Sequence, residues 1–165
     1  CGSGVNLYLF SALKHVPALG GLDYSKNLIR IAKSVVPEAD LGCEEAIRVP
    51  TEPKYDVVLA DSVFQYFNDV AYGQKVLERM WEKAGKMVVV TEVHEQEKKG
   101  EHMAYRRKCV VNYDEVYAGL DKTFYTREMF LQFAEEHGGR CEIVQPDNEL
   151  YWNNRFVFDC YLYKE

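Results

Sequence analysis

The chain has 165 residues, with 26 acidic against 20 basic side chains and a net charge of −6. Its length suits one domain, and 47% hydrophobic with 13% aromatic content excludes a disordered chain, which lacks the apolar surface to offset its entropy. The acidic balance argues against a sequence-independent nucleic-acid binder, which needs a basic surface; no apolar run approaches the about 18 residues of a membrane span.

The chain opens on Cys1-Gly2-Ser3-Gly4, a turn of the kind that ordinarily follows a strand, with no strand before it. Residues 5–16 are predicted helical, with Leu9, Leu13 and Val16 on one face and Pro17 ending the helix. Residues 18–22 form a short, mostly apolar run that stops at Asp23 and reads as a buried strand. Ser25 caps a second helix, in which Leu28, Ile31, Ala32 and Val35 fall at helical spacing and Lys26, Arg30 and Lys33 face water, with Pro37 closing it. Residues 39–43 make a weak strand, and 55–60 a clear one ending in Asp61. A helix over 68–84 turns Leu77, Met80, Trp81 and Ala84 inward and stops at Gly85. Residues 87–93 form the next strand. Residues 94–108 are dense in charge and read as exposed; 109–125 are aromatic-rich without a clear period. Thr126 caps a helix to His137, with Met129, Phe130, Phe133 and Ala134 inward. Residues 141–144 and 155–163 are the last strands, and with no helix between them they pair antiparallel.

Alternating helices and short apolar strands imply a sheet covered on both faces. The expected fold is α/β: a doubly wound, mostly parallel Rossmann-like sheet with an antiparallel C-terminal strand pair, in one domain over 1–165. The five cysteines (Cys1, Cys43, Cys109, Cys141 and Cys160) are widely spaced with no C-x-x-C. They read as buried or partly buried free thiols in a reducing compartment, which points to the cytoplasm. His94, Glu95, Glu97 and His102 suggest a metal cluster, but no spacing fixes a common face, so no metal site is expected.

Gly2 and Gly4 flank Ser3 where a helix begins. In a doubly wound sheet ligands bind at the carboxyl ends of strands, and glycines there let the backbone approach a ligand closely. About twenty residues on, Asp23 ends the next strand, where a carboxylate accepts hydrogen bonds from both ribose hydroxyls. The combination points to nucleoside binding. A dinucleotide fold wants a third glycine three residues after Gly4; that place is Leu7, which argues against tight diphosphate docking.

Cys1-Gly2-Ser3-Gly4-Val5-Asn6-Leu7 resembles the first motif of the class I S-adenosylmethionine-dependent methyltransferases. Gly21-Leu22-Asp23-Tyr24-Ser25 is similar to that family's second-strand acidic motif, and Tyr55-Asp56-Val57-Val58-Leu59-Ala60-Asp61-Ser62-Val63-Phe64 to its fourth-strand motif. The resemblance covers essentially the whole chain. It implies S-adenosylmethionine as cofactor, with Gly2, Ser3 and Gly4 against its methionine part, Asp23 on the ribose and Tyr24 near the adenine. The family's adenine-holding acid falls at Cys43 or Glu44, and Glu44 is taken for the role. One departure is large: the family's first strand has no counterpart. Strands 18–22 and 55–60 are therefore expected to face a gap, and the chain to be a fragment of a longer protein.

Three side chains are candidates for the chemistry. Asp61 ends a strand at the ligand edge and can position the substrate or the donor's ammonium. Tyr66 follows at the pocket wall. His94 follows the next strand as a candidate base, with an exposed loop histidine as the competing reading. The basic run Tyr105-Arg106-Arg107-Lys108 can grip a carboxylate or phosphate, or be a solvated face. Met103, Tyr105, Tyr113, Tyr117, Phe124, Tyr125 and Trp152 can form an apolar lid or ordinary core. The sequence thus reads as a methyltransferase acting on a small molecule, with no nucleic-acid or membrane partner. Its rivals are an NAD-dependent oxidoreductase and a non-catalytic nucleoside-binding scaffold.

Overall fold

A computed structural model describes residues 1–13, 16–148 and 150–165. In chain order it runs α1 (Val5–Ser11), β1 (Gly20–Asp23), α2 (Lys26–Val35), β2 (Asp40–Cys43), β3 (Tyr55–Asp61), α3 (Val70–Lys83), β4 (Ala84–His94), α4 (Lys99–Cys109), α5 (Tyr113–Val116), α6 (Arg127–Glu136), β5 (Gly139–Val144) and β6 (Val157–Lys164). The strands form two sheets, β1-β2 and β3-β4-β6-β5. The pairs β1/β2 and β3/β4 are parallel, and β4/β6 and β5/β6 antiparallel. The architecture is the α/β one expected, including the antiparallel end. β1 and β3, which the sequence left facing one another, are not hydrogen-bonded to each other.

The core lies on the four-stranded sheet. β4 carries Val88-Val89-Val90 through its centre, and Phe64, Leu77, Phe130, Phe158 and Leu162 close over it, each fully buried. Burying one such side chain contributes about 1.5–3 kcal/mol. α3 starts where the Asp69 carboxylate accepts from the Tyr72 amide (2.7 Å), and α6 where Thr126 accepts from Met129 (3.3 Å). Both helices turn inward the residues that their spacing selects, Leu77, Met80 and Trp81 on one and Phe130, Phe133 and Ala134 on the other.

The N-terminal helices depart from the expected faces. α1 ends at Ser11 and buries Leu7, while Leu9 and Leu13 stay exposed; residues 14 and 15 of the predicted helix lie outside the described residues. α2 buries Ile29 and Ala32, with Val36 just past its end, and exposes Ile31 and Val35. Two apolar stripes overlap in each sequence, and contact with the strands selects one. Gly85 is not a stop: β4 begins at Ala84 directly after α3.

The largest correction concerns 94–108. This stretch is not an exposed loop, because α4 occupies most of it and His94, Glu95 and His102 are buried. Glu95 is neutralised by Arg127, whose Nε and Nη2 reach its two carboxylate oxygens at 2.5 and 3.1 Å. The partner comes from α6, far along the chain, so local charge density misreads the segment. Phe124 and Tyr125 of the aromatic-rich stretch are buried as well. The cysteines form no disulfide; Cys1, Cys43 and Cys109 are exposed rather than buried, Cys141 is half-buried and Cys160 buried. Among the described residues no helix is long and apolar enough to cross a membrane.

Candidate functional site

The carboxyl ends of β1 and β2 lie side by side, with Asp23 paired to Cys43 in register. The turn over residues 1–4 wraps against them. Gly2 and Gly4 both take positive φ, 57° and 90°, a conformation that side chains disfavour. A Cβ on Gly4 would lie 3.2 Å from the Ala32 Cα and Cβ of α2, whereas one on Gly2 would meet nothing within 4 Å. The turn is therefore pressed onto the fold at Gly4 and open at Gly2.

Asp23 ties the turn to the strand end. Its Oδ2 accepts from the Gly2 amide (2.9 Å) and, at 3.4 Å, from the Cys1 nitrogen; Oδ1 accepts from the Ser25 amide (2.9 Å). Burial opposes the charge of this carboxylate, but the backbone bonds from Ser25 and Gly2 outweigh it and lower the pKa. A carboxylate offers about four acceptor sites, and the Asp23 side chain stays 15% exposed, so it retains capacity for a ligand hydroxyl. Leu7 occupies the place of a third glycine and packs on Gly21: a Cβ on Gly21 would fall 2.9 Å from the Leu7 Cδ1 and 2.7 Å from the Cys1 Cβ.

Tyr24, next to Asp23, is 80% exposed. The Glu44 amide donates to the Asp23 carbonyl at 3.1 Å, which sets Glu44 beside Asp23; its carboxylate stands in water, 3.8 Å from Arg48. Asp61, at the end of β3, is reached from the first turn of α1 and from β4: Asn6 Nδ2 donates to its Oδ2 (2.7 Å) and Thr91 Oγ1 to its Oδ1 (2.6 Å). The structure therefore gathers Gly2, Gly4, Asp23 and Glu44 at one edge and links that edge to Asp61 through Asn6. Sequence reasoning missed Asn6 and Thr91; only the register of β3 on β4, which pairs Asp61 with Thr91, identifies the second.

At the carboxyl end of β4, in the four-stranded sheet, lies an aromatic cage. His94, the last residue of β4, is buried, with its ring 4.6 Å from that of His102 and 5.2 Å from that of Phe124. It is not an exposed loop histidine. His102 is fully buried, stacked on Phe156 (4.7 Å) and accepting at Nε2 from Arg106 Nε (3.2 Å). The Nδ1 atoms of both histidines lack a partner among the described residues. Burial, followed by the charges of His102, Arg106 and Lys122, lowers the pKa of His94 to about 3; burial, then Arg106, lowers that of His102 to about 4. Both rings are neutral at pH 7. Glu95, bonded to Arg127, is not available to pair with His94. Tyr66 is exposed, with the Lys122 Nζ 3.6 Å above its ring. Among the described residues no group of His, Cys, Asp and Glu is arranged to hold a metal.

Comparison with known proteins gives a consistent result. The model of a methyltransferase-domain family matches residues 1–89. Malonyl-[acyl-carrier protein] O-methyltransferase of Priestia megaterium is 28% identical over 93 residues, which cover 55% of this chain and 34% of that protein. The chain therefore spans about a third of the length of the curated relative it matches. Among solved structures, the plantazolicin methyltransferase BpumL in complex with SAH has a TM-score of 0.73 at 16% identity, covering 100% of this chain and 73% of that one. Magnesium protoporphyrin IX methyltransferase of Synechocystis with bound SAH has a TM-score of 0.67 at 10% identity, covering 100% and 71%. At those identities the likeness is one of fold.

Proposed function

The chain belongs to the methyltransferase-domain family, and on that premise we propose that it moves a methyl group from S-adenosylmethionine to a small-molecule acceptor by direct displacement. The observation that carries the reading is Asp23: a partly open carboxylate, fixed at a strand end by the amides of Gly2 and Ser25, beside a glycine turn with free space above Gly2. That arrangement suits a nucleoside whose ribose hydroxyls meet Asp23 and whose amino-acid tail runs along Gly2, Ser3 and Gly4. In this reading Glu44, set beside Asp23 by its amide, and Tyr24 would meet the adenine. Leu7, filling the contact with Gly21, speaks against the NAD reading.

When bound, the donor supplies a methyl group on a sulfonium, which is already an activated leaving group. What remains for the protein is alignment and exclusion of water, and alignment alone is worth roughly 7–11 kcal/mol. In this reading Asp61, held by Asn6 and Thr91, would fix a donor ammonium or an acceptor hydroxyl. Tyr66, exposed on the segment after β3, is a second candidate to meet the acceptor in this reading. His94, with a pKa of about 3, is poorly matched to proton abstraction at neutral pH, where a useful base titrates near the working pH. Its role in this reading is to position the acceptor through a neutral ring. The odd number and wide spacing of the cysteines, without a C-x-x-C, support a reducing compartment such as the cytoplasm.

Calorimetric titration with SAH and, separately, with NAD tests the proposal. SAH should bind, and Asp23→Ala should weaken it about 10- to 100-fold, the loss expected when hydrogen bonds to a charged acceptor disappear. Binding of NAD in place of SAH, or unchanged SAH affinity in Asp23→Ala, would overturn it.

A further inference from the structure

We propose that the groove between α4 and the segment before β6 binds a planar aromatic carboxylate, whose carboxylate pairs with Arg155 and whose ring lies against Tyr105, Tyr151 and Trp152. The inference does not rest on the methyl-transfer reading. It assigns a second site, separate from the glycine turn and Asp23.

The first ground is shape. The groove has a volume of about 440 Å³ and is lined by Tyr105, Tyr151, Trp152, Asn154 and Arg155. Sites for small ligands run to roughly 300–1,000 Å³ and pair apolar walls with a few placed polar groups. Here the walls are flat. The rings of Tyr105 and Trp152 stack at 5.3 Å with 17° between their planes, and Tyr151 stands 6.4 Å from Trp152 at 55°. Trp152 nevertheless stays 44% exposed. An indole that keeps this much surface in water, with aromatic neighbours already ordered around it, gains by receiving another flat apolar group.

The second ground is the seat of Arg155. Its guanidinium carbon lies 4.7 Å from the ring centre of Tyr105 and 4.6 Å from that of Phe156. Phe156 is buried and stacked on His102, so half of this seat belongs to the core. Contact with ring faces orients a guanidinium without using its N–H groups, because the attraction comes from the ring quadrupole. Among the described residues Arg155 makes no hydrogen bond and no ion pair, whereas Arg48, Arg79, Arg107, Arg127 and Arg140 each pair with a carboxylate. Arg155 therefore keeps the planar fork that grips a carboxylate through two parallel bonds.

The third ground is rigidity. Tyr105 belongs to α4, and the facing wall is a run of tight turns. The Tyr151 amide donates to the Asn148 carbonyl (2.8 Å), that of Asn154 to Tyr151 (3.2 Å) and that of Phe156 to Asn153 (2.9 Å). The Asn154 side-chain amide donates to the Asn148 carbonyl as well, and Gln145 Nε2 donates to the carbonyls of Asn154 and Val157. Order present before binding lowers the entropy lost on binding. Charge then selects the anion. Among the lining residues Arg155 alone is charged, so it matches a monoanion. A phosphate dianion would leave excess negative charge on a chain whose net charge is already −6.

The test uses the full chain with 2-naphthoate, its neutral analogue 2-naphthamide, acetate and inorganic phosphate as probes. Binding is followed by the indole N–H NMR signal of Trp152, identified by its loss in Trp152→Phe. 2-Naphthoate should shift that signal saturably and bind about tenfold more tightly than the amide, acetate or phosphate. Arg155 is exposed, so its variants should fold. Arg155→Gln should lose about tenfold in naphthoate affinity and leave amide binding unchanged. Arg155→Lys, which keeps the charge and gives up the fork, should lose about threefold. Excess SAH should leave naphthoate binding as it is. Equal binding of acid and amide, or unchanged naphthoate affinity in Arg155→Gln, would overturn the proposal. So would acetate or phosphate binding as tightly as naphthoate, or displacement of naphthoate by SAH.

Discussion

Two strand ends border the candidate site, and they handle charge in opposite ways. At the end of β1, Asp23 keeps its charge because main-chain amides of Gly2 and Ser25 point at it. At the end of β4, His94 and His102 lose theirs because aromatic rings surround them and two cations stand nearby. The first end is a solvation shell built from backbone, near the surface. The second is a dry pocket built from side chains of β4, α4 and the segment before α6. One fold thus offers a place that favours an ion and a place that favours neutral rings.

Acid should break this contrast with the largest effect. The folded pKa values of His94 and His102, about 3 and about 4, lie below the ordinary 6.5. In that interval the unfolded chain binds more protons than the folded one, so stability falls as pH drops below about 6.5. Between pH 7 and pH 5 the pair should cost about 2–4 kcal/mol. Denaturant melts of the parent chain and of His94→Phe at both pH values measure it: the variant should lose roughly half of the pH dependence. An identical slope in the variant would mean that the cage does not hold His94 neutral.

The donor side is sharpened by glycine. A Cβ on Gly21 would come within 2.9 Å of both the Cys1 Sγ and the Leu7 Cδ1, and overpacking of this kind costs about 1–3 kcal/mol. Gly21→Ala should lower Tm and loosen the turn that carries Gly2. Gly100→Ala, in α4 on the cage side with nothing near it, should hold or slightly raise Tm, since alanine favours helix by about 1 kcal/mol over glycine. Equal losses at the two positions would show that the turn is not anchored through Gly21.

These two sides were not equally legible in the sequence. The donor edge rests on contacts between residues close in sequence or bracketing one strand and helix: the turn, Asp23, and Ser25 as cap. Local spacing carries that information, and so the fold class and this edge could be read. The cage depends on partners that no spacing announces. Glu95 is buried because Arg127 reaches it from α6, and His102 because Phe156 stacks on it from just before β6. The charge-dense stretch over 94–108 therefore looked solvated, although three of its members, His94, Glu95 and His102, are buried. The inward faces of α1 and α2 were misjudged for a related reason, since overlapping apolar stripes are resolved only by the strand beneath.

The smallest expected effect concerns Glu44, which belongs to the donor edge by backbone but to solvent by side chain. Its amide bond to the Asp23 carbonyl places it whatever its side chain is, and its exposed pair with Arg48 at 3.8 Å is worth only about 0.3–0.5 kcal/mol. Glu44→Gln should therefore leave Tm unchanged. If Glu44 accepts a hydrogen bond from the adenine amino group, SAH affinity should fall about two- to fivefold, the range for one solvent-exposed bond. A nucleoside analogue without that amino group, S-inosylhomocysteine, should bind the parent chain more weakly than SAH, and Glu44→Gln should narrow the gap. An unchanged gap would take the role from Glu44 and leave its side chain to water, so that the donor edge recognises the ribose through Asp23 without reading the base through its neighbour.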